Sequence, residues 1–353
     1  MTPKRVELRS FGGPGVIRVV EDQTLPEPGA GQVRIRVEAS SLVFTDMLIR
    51  RNLYPVLKLT LPLTLGYDLV GHVDALGQGV TGIAVGDRVA DLTQIGSNAT
   101  HVVRPASGLV RVPPDLDATR AEPLILSYLT AYQALVREAE VPAGGKVLVY
   151  GASGAVGNAA LDLCLALGLR AVGVASSRSR ETVTAKGADF VAYDAPDAGA
   201  QLDRLSRERG GFDAVVDPAR GEPLSRVLSR LAPRGRFVAL GFSAPFRSAG
   251  GARNGIASII GKVKFGLEFL RIKWLAARAR QTRRVTFYDI SERRAAHPDW
   301  FHDDLSTLFA LLQEGRISPR IDRVFRLHEV RQAHEMLEAG GVQGRLVLDL
   351  RDA

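Results

Sequence analysis

Cysteine and histidine, the residues from which most protein metal sites are built, are scarce in this sequence. The chain of 353 residues contains one cysteine, Cys164. One cysteine forms no disulfide within the chain and builds no thiolate cage for zinc. Cys164 falls at an apolar position of a predicted helix, so we interpret it as a core residue. The six histidines are scattered without the spacing of metal ligands, at His72, His101, His297, His302, His328 and His334. We therefore predict no metal site.

Long hydrophobic runs are also missing. No window approaches the ~18 uninterrupted apolar residues that span a bilayer, and the first residues, MTPKRVELRSFGGPGV, lack the apolar core of a signal peptide. Apolar residues make up 46% of the chain and charged residues 24%, as in a globular protein, and the length favours about two domains. These features predict a cytoplasmic protein.

Acidic residues are nearly absent from one stretch. Residues 247–284 contain ten Lys/Arg and one acid, Glu268, so this stretch carries +9 while the rest of the chain is close to neutral. Apolar residues recur there at helical spacing, at Ile256, Ile259, Ile260, Val263, Leu267, Leu270 and Trp274. We call residues 245–284 the basic insertion. It is interpreted as a lid or dimer-packing helix, or as a surface for an acyl carrier protein or an anionic membrane. Nucleic acid is not predicted, because no aromatic stacking platform or groove-reading motif accompanies the charge.

The order of predicted elements indicates an α/β protein. Short strand-like runs separated by Gly/Pro turns fill the first 120 residues and predict an irregular β domain. From about Ser127 strands and helices alternate, beginning with KVLVYG, RAVGVAS and DFVAYD. Such alternation predicts a doubly wound parallel sheet.

The stretch VLVYGASGAVGNAALDL (147–163) combines a strand, a glycine turn and a helix. In this setting the first glycine permits the tight turn, the second lets backbone approach a pyrophosphate, and the third lets the helix pack on the strand. The turn predicts a dinucleotide site made by Gly151, Ser153, Gly154, Ala155, Val156 and Gly157.

The end of the second strand of this sheet indicates which dinucleotide binds. An NAD site places an acid there, whereas this chain reads VASSRSR, with no acid between Leu169 and Arg180. Hydroxyls and guanidinium groups suit a 2′-phosphate, so NADPH is the predicted cofactor, bound by Ser176, Ser177, Arg178 and Arg180. The alternative is that both arginines merely lie on the solvent-exposed start of a helix and bind no phosphate.

With these motifs placed, nearly the whole chain resembles the medium-chain dehydrogenase/reductase superfamily, in its zinc-free quinone oxidoreductase and enoyl reductase branch. The resemblance rests on LPLTLGYDLVGHVDALGQGVTGIAVGDRV (61–89), LSYLTAYQAL, GASGAVG, FDAVVDPARGEPL and EMLEAGGVQGRLVL. It implies a GroES-like catalytic domain from both chain ends (1–124 and 317–353), with a Rossmann NADP-binding domain between them (125–316). It also implies a homodimer.

The resemblance points to chemistry without zinc. Zinc members have Cys in a CxTD-like element and His in a GHE-like element, where this chain reads VFTD, with Val43, and GYDLVG, with Tyr67. Valine cannot bind a metal and tyrosine is a poor substitute for imidazole. Without a Lewis acid, hydride delivery to an activated C=C or a quinone is the reaction that remains.

Particular residues are implied by position in the family motifs. VFTDMLIRRNLYP retains Asp46, which we expect to orient its loop, and Tyr54, which we expect to donate to substrate, but it has Val43 in place of an Asn. Arg220, in DPARG, departs from the family pattern. Contacts to the cofactor are implied for Thr130, Tyr193, Gly241 and Phe242.

These observations predict an NADPH-dependent reductase of an enone, an enoyl thioester or a quinone. One alternative is a polyketide or fatty-acid tailoring reductase with an unusual reductive or ring-forming step. A second alternative is a non-catalytic NADPH-binding, membrane-associated protein, suggested by Val43, by Leu48 in place of a common tyrosine, and by the basic insertion.

Overall fold

A computed structural model describes residues 2–54, 59–218, 222–240 and 285–353, together with Leu267, Leu270 and Trp274. The chain forms two compact units. The terminal unit contains Met1–Leu129 and His297–Ala353, and the central unit contains Thr130–Ala296. Among the described residues, no helix is long and apolar enough to cross a membrane.

In chain order the strands are β1 (Lys4–Leu8), β2 (Ile17–Glu21), β3 (Gln32–Leu42), β4 (Leu63–Thr64), β5 (Asp68–Leu76), β6 (Arg88–Leu92), β7 (His101–Pro105), β8 (Val110–Arg111), β9 (Lys146–Tyr150), β10 (Arg170–Ala175), β11 (Asp189–Ala192), β12 (Phe212–Asp217), β13 (Leu231–Ala239), β14 (Val285–Phe287), β15 (Ile321–Arg326) and β16 (Arg345–Asp349).

The α-helices are α1 (Phe44–Arg50), α2 (Ala118–Pro123), α3 (Leu129–Tyr132), α4 (Ala155–Ala166), α5 (Arg180–Thr184), α6 (Ala198–Arg209), α7 (Leu224–Ser229), α8 (Ile290–Ala296), α9 (Pro298–Gln313) and α10 (Val330–Ala339). Wider π-type turns cover Leu124–Tyr128 and Gln133–Glu138, and short 3₁₀ turns cover Pro14–Val16, Ser177–Ser179 and Leu327–Glu329.

The terminal unit is mostly antiparallel sheet. The larger sheet has the order β15-β16-β3-β5-β6-β8, with β7 also paired to β3, and a smaller sheet has the order β2-β1-β4. Along β3, Val33, Ile35 and Val37 point into one core, at the two-residue period of a half-buried strand. The C-terminal strand β16 pairs antiparallel with β3, with Leu348 opposite Ser40, so both ends of the chain build one sheet.

The central unit is a parallel sheet in the order β11-β10-β9-β12-β13-β14. Its inner strands are buried on both faces; Val147, Leu148 and Val149 of β9 are all inaccessible to solvent. The strand order reverses between β9 and β12, and at such a point the carboxyl ends of the strands leave a crevice. The predicted fold class, a mostly antiparallel β domain with a doubly wound α/β domain, is confirmed.

The unit boundaries differ from the expected boundaries at 124/125 and 316/317. The structure assigns residues 125–129 and α9 to the terminal unit. Helix α9 buries Phe301, Leu305 and Leu308 and packs on the turn at Leu124–Tyr128 and on β8. The chain continues to alternate between strand and helix past β14, so the sequence pattern alone carries no sign of this change of unit.

Candidate functional site

The glycine turn joins β9 to α4 at the carboxyl edge of the central sheet. Gly151 has φ +60°, a left-handed conformation that favours glycine, and its carbonyl accepts a hydrogen bond of 3.0 Å from Gly154 N. A Cβ atom on Gly157 would lie 2.2 Å from the Gly151 carbonyl oxygen, so only glycine allows α4 to begin this close to the turn. The N–H groups in the first turn of α4 have no intrahelical acceptor, which gives this turn the chemistry of a pyrophosphate cradle.

The ends of β10 and β11 lie beside this turn. Ala152 N donates to Val174 O and Tyr193 N donates to Ala175 O, at 3.0 and 2.9 Å, which ties the three strand ends together. Ser176 is buried and its hydroxyl lies 3.1 Å from that of Ser179, whereas Ser177 is exposed. The structure therefore brings Ser177 and Tyr193 to one edge with the glycine turn, and Tyr193 is 58% exposed there.

The two arginines that follow β10 are both exposed. The Arg180 guanidinium lies over the Phe190 ring of β11, 4.6 Å from its centroid. A guanidinium stacked on a ring keeps its in-plane N–H donors available to an anion. Arg178 and Arg180 thus have the donor chemistry for a phosphate at this edge.

Asp194 is a residue of this edge that sequence reasoning missed. Its carboxylate accepts hydrogen bonds from Ser177 N, at 3.0 and 3.2 Å, and from Ser177 Oγ at 2.9 Å. The dinucleotide motif places an acid in the segment after β10, whereas Asp194 follows β11. Because neighbouring parallel strands end side by side, a residue after the third strand reaches the end of the second.

Thr130 lies on α3 and is almost fully buried. Its hydroxyl interacts with the phenol of Tyr288, which also donates a 2.7 Å hydrogen bond to Gln133 Oε1. The implied cofactor residues Gly241 and Phe242, the unusual Arg220, and all of the basic insertion except Leu267, Leu270 and Trp274 lie outside the described residues.

In the terminal unit, Asp46 connects two loops. The carboxylate is fully buried, with Oδ2 accepting from Val43 N at 2.9 Å and Oδ1 accepting from Gly66 N at 3.2 Å. Burial raises the pKa of Asp46 to about 7, although the two N–H donors act to lower it. These contacts fit a residue that orients its loop.

Next to this link, a buried ion cluster supports the strand that follows Gly66. The Arg345 guanidinium binds Asp68 Oδ2 at 2.7 Å and Glu122 Oε1 at 2.6 Å, and it donates to Ser127 Oγ at 3.2 Å. Burial raises the pKa of Glu122 well above its ordinary range, even though the guanidinium lowers it. The cluster fixes the start of β5 from inside the core.

Tyr54 and Tyr67 bring their phenol oxygens to 3.5 Å from each other. Tyr67 is buried and Tyr54 is half-buried, packed by its ring against the core of the terminal unit. In the sequence, Tyr67 stands out only as an unsuitable zinc ligand. The available signal was its place in GYDLVG, since a residue that replaces a metal ligand keeps that position in the fold.

Within the described part of the chain, no group of three or more His, Cys, Asp or Glu side chains is arranged to hold a metal ion. Val43 lies at the start of α1 and Tyr67 immediately before β5, in the VFTD and GYDLVG motifs, where the family resemblance implies the ligands of the zinc members.

Known proteins resemble the chain along its whole length. A model of the alcohol dehydrogenase GroES-like domain matches residues 29–114, and a model of zinc-binding dehydrogenases matches residues 186–348. The synaptic vesicle membrane protein VAT-1 homolog of Rattus norvegicus is 30% identical over 355 residues, covering 97% of this chain and 82% of that protein. The quinone oxidoreductase of Lama guanicoe is 27% identical over 353 residues, covering 99% and 98%.

Among solved structures, mycobacterial Rv1454c complexed with NADPH matches with a TM-score of 0.78 and 28% identity, over 99% of this chain and 100% of that one. The fold, the two family models and these relatives show that the chain belongs to the medium-chain dehydrogenase/reductase superfamily, in the branch of quinone oxidoreductases and enoyl reductases.

Proposed function

We propose that the protein is an NADPH-dependent, zinc-independent oxidoreductase that reduces an activated C=C bond of an enone or enoyl thioester, or a quinone. The main support for this proposal is the pair of neighbouring phenols at Tyr54 and Tyr67, in loops where a zinc dehydrogenase would hold its metal. Phenols donate hydrogen bonds to a carbonyl oxygen, and they do not replace the Lewis acid that alcohol oxidation needs. The related quinone oxidoreductase supports this reaction class.

The cofactor proposal rests on the edge formed by the glycine turn and the ends of β10 and β11. The helix N-terminus suits the pyrophosphate, and Ser176, Ser177, Arg178 and Arg180 suit the 2′-phosphate. Asp194 counts against Ser177 as a phosphate ligand, because its carboxylate already accepts the hydrogen bonds of Ser177 N and Oγ. The preference for NADPH therefore depends on the two arginines, and the NADPH complex of Rv1454c supports it.

When bound, NADPH would supply a hydride to the electron-poor carbon of the substrate. Tyr54 donates a hydrogen bond to the carbonyl oxygen, which gains negative charge as the hydride arrives. Asp46 holds the start of α1 against Gly66 and so keeps the loop in place. Water supplies the proton that completes the α-carbon.

Loss of NADPH absorbance with an enone, an enoyl thioester and a quinone tests the function. We expect turnover with at least one class, and failure with all three would overturn the proposal. Product mass and ring count separate simple reduction from the ring-forming step of a tailoring enzyme. Added zinc and a chelator should leave the rate unchanged.

A second proposal is that the basic insertion binds an anionic membrane surface. Leu267, Leu270 and Trp274 are helical, share one face by their spacing, and are 63%, 63% and 56% exposed. The surrounding sequence is strongly basic, which suits anionic headgroups. A relative is named as a vesicle membrane protein.

Vesicles of phosphatidylserine and phosphatidylcholine test this surface by co-sedimentation. The wild type should pellet with anionic vesicles and remain in solution with neutral ones, and a variant with Leu267, Leu270 and Trp274 all changed to Ser should remain in solution with both. Equal pelleting of the two proteins would overturn the proposal. Membrane binding without turnover would instead favour a non-catalytic NADPH-binding protein.

A further inference from the structure

Two phenols meet in the terminal unit, and the proposed mechanism uses only one of them. We propose that Tyr67 is a second catalytic residue, which joins Tyr54 in donating hydrogen bonds to one substrate oxygen. The assignment rests on the proposed reductase function and names the group that replaces the missing Lewis acid.

The distance between the phenols supports this arrangement. Their oxygens lie 3.5 Å apart, longer than the roughly 2.5–3.0 Å of a good O–H···O bond. At this separation, one substrate oxygen can lie about 2.7–3.1 Å from both phenol oxygens and would then receive both hydrogen bonds. Two donors around one developing oxyanion stabilise it more than one donor does.

Tyr67 is fixed in place by its neighbours along the chain. Its carbonyl accepts from Thr93 N at 2.8 Å and from Gln94 N at 2.9 Å. Before it, Gly66 has φ +109°, and a Cβ atom there would lie 2.4 Å from Asn98 N. After it, Asp68 is held by Arg345 at 2.7 Å. A buried donor on such a backbone needs little reorganisation when charge develops.

The chemical step balances with the phenols as hydrogen-bond donors. NADPH, when bound, would supply the hydride for the new C–H bond at the β-carbon of the substrate and would itself be oxidised to NADP⁺. The electron pair of the C=C bond shifts to give an enolate, whose oxygen accepts from Tyr54 and Tyr67. Water then protonates the α-carbon and is left as hydroxide, and both phenols keep their protons throughout.

Single-turnover NADPH oxidation by wild type, Tyr67→Phe, Tyr54→Phe and the double variant tests the assignment with whichever substrate the wild type reduces. We expect each single change to slow hydride transfer by roughly 10- to 1000-fold, with NADPH Kd unchanged. The double variant should be slower than either single variant, because two donors act on one oxygen.

A matched control is Tyr150→Phe, which removes a buried phenol that bonds Arg230 at 2.7 Å and Glu222 at 3.1 Å in the central unit. It should lower the melting temperature without slowing hydride transfer. Phe keeps the ring of Tyr67, and Tyr67→Met provides a second donor-free variant should the Phe variant misfold.

The outcomes separate this assignment from the proposed function. No turnover by the wild type with any substrate class overturns both. Wild-type turnover with a full rate for Tyr67→Phe overturns only the role of Tyr67. A double variant no slower than Tyr54→Phe alone also overturns the two-donor arrangement, because Tyr67 would then act only through Tyr54.

Discussion

His334 is a single residue whose burial gives the fold a pH dependence. It lies on α10, fully buried, and neither ring nitrogen has a hydrogen-bond partner in the described part of the chain. Burial, with a smaller contribution from the Arg50 guanidinium, lowers the pKa of His334 from 6.5 to about 3, although the Glu338 carboxylate acts to raise it. The native fold therefore holds this imidazole neutral.

We predict that stability falls in acid because of this residue. The folded-state pKa is lower than the unfolded one, so protons favour the unfolded chain. The contribution of neutral His334 to the free energy of unfolding is present above about pH 6.5. It is lost as the pH falls towards 3, at up to about 1.4 kcal/mol per pH unit. Urea unfolding of wild type and His334→Leu at about pH 7.5 and about pH 5 measures it.

The variant should lose less stability than the wild type between the two pH values. Titrating carboxylates elsewhere affect both proteins equally, so only the difference between them reports on His334. Identical losses would contradict the prediction.

At the scale of elements, the local sequence motif predicted the glycine turn after β9, but it did not predict which residues meet where β10 and β11 end. Gly151 has a left-handed φ and Gly157 leaves no room for a Cβ atom, and such tight turns and close helix contacts leave a local signature in the sequence. Asp194 left no such signature, since it meets Ser177 only where two strand ends lie side by side, and the signal for Tyr67 was its place in GYDLVG. Local pattern predicts turns and helices well, whereas contacts between strand ends depend on the sheet order.

Asp194 gives a prediction about cofactor choice. The wild type should bind NADPH at least tenfold more tightly than NADH, and Asp194→Asn should widen the difference, because it removes a like charge beside the 2′-phosphate.

Replacement of Arg178 and Arg180 together by Ala should erase most of the preference for NADPH while NADH affinity hardly changes. Quenching of protein fluorescence measures both dissociation constants. Equal constants in the wild type would refute the preference, and a weaker NADPH complex for Asp194→Asn would refute the role of Asp194.

At the scale of the whole molecule, the terminal unit is built from both ends of the chain. Strand β16 lies between β15 and β3, and α9 packs beside β8. The stability of the terminal unit therefore depends on contacts between residues more than 200 positions apart. The resemblance anticipated this closure but not the position of α9. Burial of Phe301 and Leu305 against the terminal unit decided where α9 belongs, and an amphipathic pattern shows that a helix has a buried face without naming its partner.

Arg345 on β16 binds Asp68 at the start of β5 and Glu122 on α2, and its removal should destabilise the terminal unit. The side chain is buried and its guanidinium contacts Asp68 and Glu122, which are both inaccessible to solvent. Arg345→Met leaves these carboxyls without a counter-charge, at a cost of about 3–5 kcal/mol in the free energy of unfolding. Combining it with Asp68→Asn and Glu122→Gln removes the uncompensated charge and should recover part of the loss. Denaturant unfolding of the three proteins measures both effects. An Arg345→Met variant as stable as the wild type would show that the strands close the sheet without the ion cluster. A triple variant no more stable than Arg345→Met would show that Arg345 acts by packing. Its buried side chain would then fill the same space whether or not charges face it.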